Sequence, residues 1–153
     1  MNIEVKVIGE NQLSKLLQSK AKNIDSNLER DITKCCLKVE ADAKKKCPVS
    51  PNGGRLRSSI TSEVKKKGFK LEGRVGTNVE YASYVEYGTG IYAKLGSKAK
   101  KIPWTYYNEE AQQFFKTSGM QPKPYLYPAL RDNFEFIQKK LGKSVIDTLK
   151  KKI

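Results

Sequence analysis

The chain has 153 residues, of which 38% are hydrophobic and 30% charged, and its net charge is +14. This length suits a single domain over residues 1–153, and the charge predicts an acidic partner: nucleic acid, an acidic protein face or a membrane surface. Histidine is absent, which removes the commonest general base and every Ser–His or Cys–His nucleophile. We therefore expect no enzymatic activity.

The first nine residues predict a strand. Ile3, Val5 and Val7 alternate with charged or polar residues, the period-two pattern of a half-buried strand over residues 1–9. The same stretch lacks the apolar centre of a signal peptide. No apolar run in the chain approaches the ~20 residues of a membrane span. We therefore expect synthesis in the cytoplasm and no membrane partner.

Residues 11–47 predict helix. From Leu13 to Cys47 the apolar residues recur at steps of three and four, which is one stripe along a single helix or along two abutting helices. Polar residues at 23–27 could cap a second helix, so a bend there is compatible with the pattern. An unbroken helix would be about 55 Å long. Pro48 ends it.

The three cysteines, Cys35, Cys36 and Cys47, predict reduced and buried thiols on the apolar helical face. They form no Cys-x-x-Cys motif, and without histidine a structural zinc site has too few ligands. We expect no metal and no cofactor.

The middle of the chain predicts a hairpin over residues 59–77 and a short helix or turn over residues 80–87. The hairpin follows from alternating apolar residues on both sides of a Lys-Lys-Gly turn. At the start of this region, Leu56 and Ile60 can anchor the short segment 55–60 on the long helix. The short helix follows from Tyr81, Tyr84 and the valine after it, at positions i, i+3 and i+4.

Residues 88–124 predict a long irregular loop, because they are rich in glycine and proline, although their aromatic residues argue against plain disorder. Residues 126–152 predict a C-terminal helix that begins near Pro128. Its apolar stripe consists of Leu126, Leu130, Phe134, Ile137, Leu141, Val145 and Leu149. The fold class is therefore α+β, with the long N-terminal helix (or two) and the C-terminal helix packed on a small antiparallel sheet.

Motifs for chemistry are few. Glu86 is the carboxylate of interest, because it lies among Tyr81, Tyr84 and Tyr87. A structural carboxylate that is hydrogen-bonded or ion-paired is favoured over a catalytic one. No zinc finger, helix-turn-helix or RNA-binding aromatic motif is found, so sequence-specific reading of DNA is not expected. Contact with the phosphate backbone stays open.

Three motifs, in this order along the chain, resemble those of a known protein family. They are Gly-Arg-Leu-Arg-Ser-Ser-Ile at 54–60, Tyr-Ala-Ser-Tyr-Val-Glu-Tyr-Gly-Thr at 81–89 and Pro-Tyr-Leu-Tyr-Pro-Ala-Leu at 124–130. In this order the chain resembles a siphophage and prophage tail-component family, named for the tenth gene product of a lambdoid coliphage. The connection at 48–56 is longer than the Pro-Val-Asp-Thr-Gly-Arg-Leu more usual there, and the segment at 91–121 is longer than in compact members.

The resemblance implies a structural virion protein of the phage neck or tail end, either joining head to tail or completing the tail, and assembled as an oligomeric ring. The implied partners are further copies of the chain and other neck or tail proteins. An alternative is a small basic protein that binds the phosphate backbone of nucleic acid without sequence specificity.

Two sets of residues follow as candidates. Tyrosine is enriched at interface hot spots, and in a ring one patch would meet a different patch on the next copy. The interface set is Tyr81, Tyr84, Glu86, Tyr87, Gly88, Thr89, Tyr125 and Leu126; the tyrosines could instead complete the subunit's own core. The set that could face DNA in a ring lumen is Lys65, Lys66, Lys67, Lys98, Lys100 and Lys101.

Overall fold

The computed structural model describes residues 10–49, 54–68, 70–96, 101–109 and 111–150. The predicted strand at residues 1–9 lies outside them. The helices are α1 (Glu10–Lys46), α2 (Arg55–Ser59), α3 (Ala82–Tyr87), α4 (Leu126–Asp132) and α5 (Phe134–Lys150), with a 3₁₀ turn at Gly90–Tyr92. Two antiparallel hairpins consist of β1 (Thr61–Lys67) with β2 (Lys70–Gly76), and of β3 (Trp104–Asn108) with β4 (Gln113–Thr117). The α+β prediction is confirmed.

Helix α1 is a single element of 37 residues, about 55 Å long at 1.5 Å per residue. The polar residues at 23–27 start no second helix. Ser26 donates its hydroxyl hydrogen bond back to the carbonyl of Lys22, at 3.1 Å, so it is accommodated within the helix. Asn27 instead donates across to Thr148. Of the two arrangements that the pattern allowed, the structure therefore has the single helix.

The hairpin β1–β2, called here the charged hairpin, lies flat against α1. Its register runs from Thr61 opposite Gly76 to Lys67 opposite Lys70. Gly73 is the point of closest approach: a Cβ there would lie 2.9 Å from Cγ2 of Ile32 and would also clash with Sγ of Cys36. Glycine at this position therefore lets the strand backbone rest directly on the helix.

The core lies at the C-terminal end of α1. Val39, Ala43 and Cys47 are buried there against Leu56 and Ile60, so the predicted anchoring of the 55–60 segment is confirmed. Val79, Ala82, Tyr125 and Ala129 complete the cluster. It is small for 153 residues, and many large apolar side chains remain exposed.

All three cysteines are free and buried, as expected. Burial raises the pKa of each thiol, which keeps it protonated and unreactive.

The C-terminal helical region differs from the single predicted helix, because it is interrupted at Asn133. This side chain is buried and donates hydrogen bonds to Oδ2 of Asp42, at 2.8 Å, and to the carbonyl of Ala129, at 2.9 Å. The contact of α5 with α1 is partly polar along its length: Asn27 donates to Oγ1 of Thr148, at 2.9 Å, and Lys140 lies 3.7 Å from Asp31. None of the described helices has the length and hydropathy needed to cross a bilayer.

The predicted stripe on the C-terminal helices is only partly covered, with Leu126 and Ile137 packed against the core. Leu130, Phe134 and Leu149 are exposed. The stripe residues Leu126, Ile137, Leu141 and Val145 are only half-buried. Part of this apolar face therefore stays exposed among the described residues.

The segment predicted as a long loop, residues 88–124, also differs, because it contains the hairpin β3–β4. Tyr106 lies opposite Phe115 with ring centroids 6.0 Å apart, and Tyr107 opposite Phe114 at 5.1 Å. Such cross-strand aromatic pairs stabilise a hairpin. In each strand two aromatics are adjacent, so neither strand alternates apolar with polar residues, and the period-two signal is missing.

Candidate assembly interface

Helix α3 has two distinct faces. Ala82 and Glu86 are buried against the body of the subunit, whereas Tyr84 on the opposite face is 54% exposed. Tyr81 and Tyr87, one turn to either side of Tyr84, are also exposed. These three side chains form a row that we call the tyrosine ridge. They do not complete the subunit's own core.

Glu86 fixes α3 to the start of α4. Its Oε2 accepts hydrogen bonds from the backbone N–H groups of Tyr125, at 2.8 Å, and Leu126, at 3.0 Å, and its Oε1 accepts from Tyr127, at 2.9 Å. These are N–H groups of a helix start that the helix itself cannot pair. Glu86 is thus a buried capping carboxylate, as the structural interpretation proposed, and it lies beneath the ridge.

Tyr125 also lies inside the subunit. It is 1% exposed, and burial, with Cys47 and Glu86 nearby, raises the pKa of its hydroxyl to about 12. Leu126 beside it is half-buried. Of the predicted interface set, these residues and Glu86 support the ridge from below, while the three tyrosines of α3 are the part that a neighbour could touch.

Gly88 and Thr89 end the ridge with a fixed backbone. Gly88 has φ +76°, and a Cβ there would lie within 2.9 Å of the carbonyl oxygens of Met120 and Tyr92. Both the dihedral angle and the space therefore require glycine. Thr89 donates its N–H to the Met120 carbonyl and accepts the Met120 N–H on Oγ1, each at 2.9 Å. This pairing holds the chain that returns from β4 beside α3.

Two apolar grooves flank the ridge, and Tyr87 lines both. The first, called the helix groove, has a volume of about 520 Å³ and lies between α1, β2 and the α4–α5 region. Its walls include Ile32, Cys36, Leu71, Val75, Leu126, Leu130, Ile137 and Leu141. The second groove, of about 500 Å³, lies between α3 and the base of β3, where Trp104 forms part of the wall.

The region that contains α1, the charged hairpin and α3 is also the region that matches a known family. The family model described as "Bacteriophage HK97-gp10, putative tail-component" matches residues 10–88, just over half of the chain. The chain belongs to the HK97-gp10-like family. Neither the curated proteins nor the solved structures gave a match. The matched region ends at Gly88, so it includes the ridge and excludes β3–β4.

In this HK97-gp10-like chain four of the six predicted DNA-facing lysines lie within the described residues, and all four are exposed. Lys65 lies 2.9 Å from Glu63, and Lys66 lies 2.7 Å from Asp25. Lys67 and Lys101 are exposed. Lys98 and Lys100 lie outside the described residues. Adjacent residues of a strand point to opposite faces, so Lys65 and Lys66 diverge.

The sequence interpretation missed the helix groove and the exposed aromatics of β3–β4. The groove depends on long-range packing between α1, β2 and α5, which no local pattern encodes. A signal for the hairpin was present, because the adjacent pairs Tyr106-Tyr107 and Phe114-Phe115 flank a polar stretch of a length that a hairpin turn would need.

Proposed function

We propose that this tail component is a structural protein of the phage virion that assembles into an oligomeric ring at the head–tail junction or at the tail end. The observation that carries the proposal is the tyrosine ridge, an exposed aromatic row between two apolar grooves on a rigid backbone. Family membership supports the phage tail part of this proposal.

The ridge has the chemistry of an interface. Tyrosine buries a large rigid area and keeps a polar tip, and it is enriched among interface hot spots. Contiguous exposed apolar surface on a soluble protein usually marks an interaction site. Tyr84, Tyr87 and Leu130 lie on or beside the two grooves and are all substantially exposed. A ridge that packs into a different patch on the next copy gives a heterologous contact, which closes into a ring when the rotation allows.

The partners that we propose are further copies of this chain and other neck or tail proteins. The role is structural rather than enzymatic, since Glu86, the carboxylate of interest, has both oxygens engaged by the start of α4. Contact between the remaining positive surface and DNA in a ring lumen is a secondary proposal, which rests on the net charge of +14 alone.

Light scattering across a concentration series tests the ring. The native chain should self-associate, and Tyr84→Ala combined with Tyr87→Ala should abolish assembly without changing far-UV helicity. Leu149→Ala is the matched control, because Leu149 is equally exposed but lies near the far end of α5. Assembly that survives the double substitution would exclude the ridge as the interface. A strict monomer with salt-sensitive DNA binding would instead favour the nucleic-acid-binding alternative.

A further inference from the structure

The hairpin β3–β4, called here the aromatic arm, is rich in aromatic residues. Among the described elements of the subunit, its main contacts are between its own two strands. Phe114 is 73% exposed, and Tyr106, Tyr107 and Phe115 are also exposed. Because adjacent strand residues point to opposite faces, Tyr107 and Phe114 cover one face and Tyr106 and Phe115 the other.

The helix groove is the complementary feature. It is concave, about 520 Å³ in volume and lined mainly by aliphatic side chains, and none of the arm's residues lines it. The arm starts at Trp104. This residue lines the second groove, which shares Tyr87 with the helix groove. The arm and the helix groove of one subunit are therefore two different surfaces with Tyr87 between them, and a head-to-tail contact needs two unlike surfaces.

Charge favours a second copy as the occupant. From Trp104 to Thr117 the chain has two glutamates and one lysine, a net charge of −1, within a chain of +14. The arm is therefore the segment that approaches a cationic copy with attraction rather than repulsion. The arm, with its net charge of −1, is therefore electrostatically complementary to the basic body of a second copy.

The area sets how much of the contact the arm can supply. An aromatic side chain buries roughly 150–250 Å² when it is covered, so the two rings on the face formed by Tyr107 and Phe114 bury at most about 300–500 Å². A stable protein interface buries about 800 Å² on each partner. The arm therefore supplies part of the contact, and the exposed tyrosine ridge beside the helix groove is available for the rest.

We propose that the aromatic arm of one copy docks into the helix groove of the next, with the face formed by Tyr107 and Phe114 against the groove. This inference rests on the proposed ring and identifies the two unlike surfaces that would join its subunits. Phe114 leads the contact, because it is the most exposed aromatic of the arm and its ring lies 5.1 Å from that of Tyr107.

A mixing experiment tests the pairing. The arm variant carries Tyr107→Ser with Phe114→Ser, and the groove variant carries Tyr127→Ser with Leu130→Glu, both exposed positions on the groove wall. Each variant alone should self-associate at least roughly 30-fold more weakly than the native chain, as expected for loss of a hot spot. Mixed together, they should form a 1:1 heterodimer in native mass spectrometry, because one intact arm and one intact groove remain.

The control variant, Leu37→Ser with Leu149→Ser, removes two equally exposed apolar side chains that line neither groove, and it should assemble like the native chain. Native-like association of the arm variant, or a mixture that stays monomeric, would overturn the inference. If the arm variant assembles while the Tyr84→Ala, Tyr87→Ala protein does not, the ring stands and only the docking of the arm fails. A native chain that is monomeric at every concentration overturns both.

Hydrogen exchange of the native chain gives a test without substitutions. On moving from dilute to associated protein, amides of β3, β4 and α4 should exchange more slowly, whereas those of α2, which lines neither groove, should not change. Unchanged exchange in β3 and β4 upon association would contradict the proposed contact.

Discussion

The two hairpins of this protein differ in composition and burial in opposite ways. The charged hairpin carries Lys65, Lys66 and Lys67 but is held against α1, where Gly73 brings its backbone onto the helix. The aromatic arm carries five large rings, and all of them except the half-buried Trp104 are exposed. Composition alone would place the second inside the protein and the first outside.

The two hairpins differ in how many of their faces carry apolar side chains that another element would have to bury. One face of the charged hairpin is polar, and the apolar side chains of its strands, Leu71 and Val75 among them, lie on the other face, where α1 leaves them half-buried. The arm has aromatics on both faces, and one neighbouring element could cover only one of them. A hairpin that is apolar on both faces in a subunit with a small core therefore points to burial between subunits.

The largest predicted effect concerns Glu86, which ties the chain returning from the arm to the body. Glu86→Ala leaves three backbone N–H groups at the start of α4 without their acceptor. We expect a loss of about 3–5 kcal/mol in the free energy of unfolding, measured by urea denaturation. Glu80→Ala, at an exposed position, is the control. A loss below about 1 kcal/mol for Glu86→Ala would contradict the capping role.

The second prediction concerns alkaline pH. Burial raises the pKa of Tyr125 from 10 to about 12, so the folded state holds a proton that the unfolded chain releases. This stabilisation is fully present below pH 10 and is lost as the pH rises from 10 to about 12, by about 3 kcal/mol. Urea denaturation at pH 9.5 and pH 11.5 measures it. In Tyr125→Phe the decline between these two pH values should be smaller by about 2 kcal/mol, leaving the part due to the buried thiols; an unchanged decline would exclude Tyr125 as its source.

The third prediction tests how the charged hairpin is held. Gly73→Val should destabilise the subunit by about 1–3 kcal/mol, because the added carbons would meet Ile32 and Cys36 on α1. Gly76→Val in the same strand is the matched control, since a Cβ there meets no atom within 4 Å. Equal thermal denaturation of the two variants would show that the hairpin is not seated on α1 as described.

The smallest predicted effect is on the arm. In the monomer, Tyr107→Ser with Phe114→Ser should change the free energy of unfolding by no more than about 1 kcal/mol, because exposed side chains contribute little to folding. Thermal denaturation at low protein concentration measures this. A larger loss would mean that the arm packs within its own subunit, and the contrast between the two hairpins would disappear.

Much of the fold followed from local patterns. The steps of three and four from Leu13 to Cys47 predicted α1, and the lysine-glycine turn predicted the charged hairpin. The ridge followed from the spacing of Tyr81, Tyr84 and Tyr87. The break at Asn133 could not be predicted, since it depends on Asp42, which is 91 positions away in the chain.

The candidate site was predicted only in part for a similar reason. The sequence indicated which residue types would contact a neighbour. It did not show that Tyr84 is exposed and Glu86 buried, because this depends on which side of α3 faces the core. The apolar stripe of the C-terminal region was predicted, but not how much of it would stay exposed. Polar partners on α1, at Asn27 and Asp42, hold the C-terminal region in a rotation that leaves the stripe half uncovered.

The hydrogen bonds at Asn27 and Asp42 also determine how the C-terminal helical region is aligned along α1. Fifteen positions separate Asn27 from Asp42, and fifteen separate Asn133 from Thr148, so the two hydrogen bonds form together in one antiparallel arrangement. Sliding α5 by one turn, about 5.4 Å, would break both, whereas a purely hydrocarbon contact would tolerate the shift. The walls of the helix groove are thus set in place before any neighbour arrives, which lowers the ordering cost of assembly.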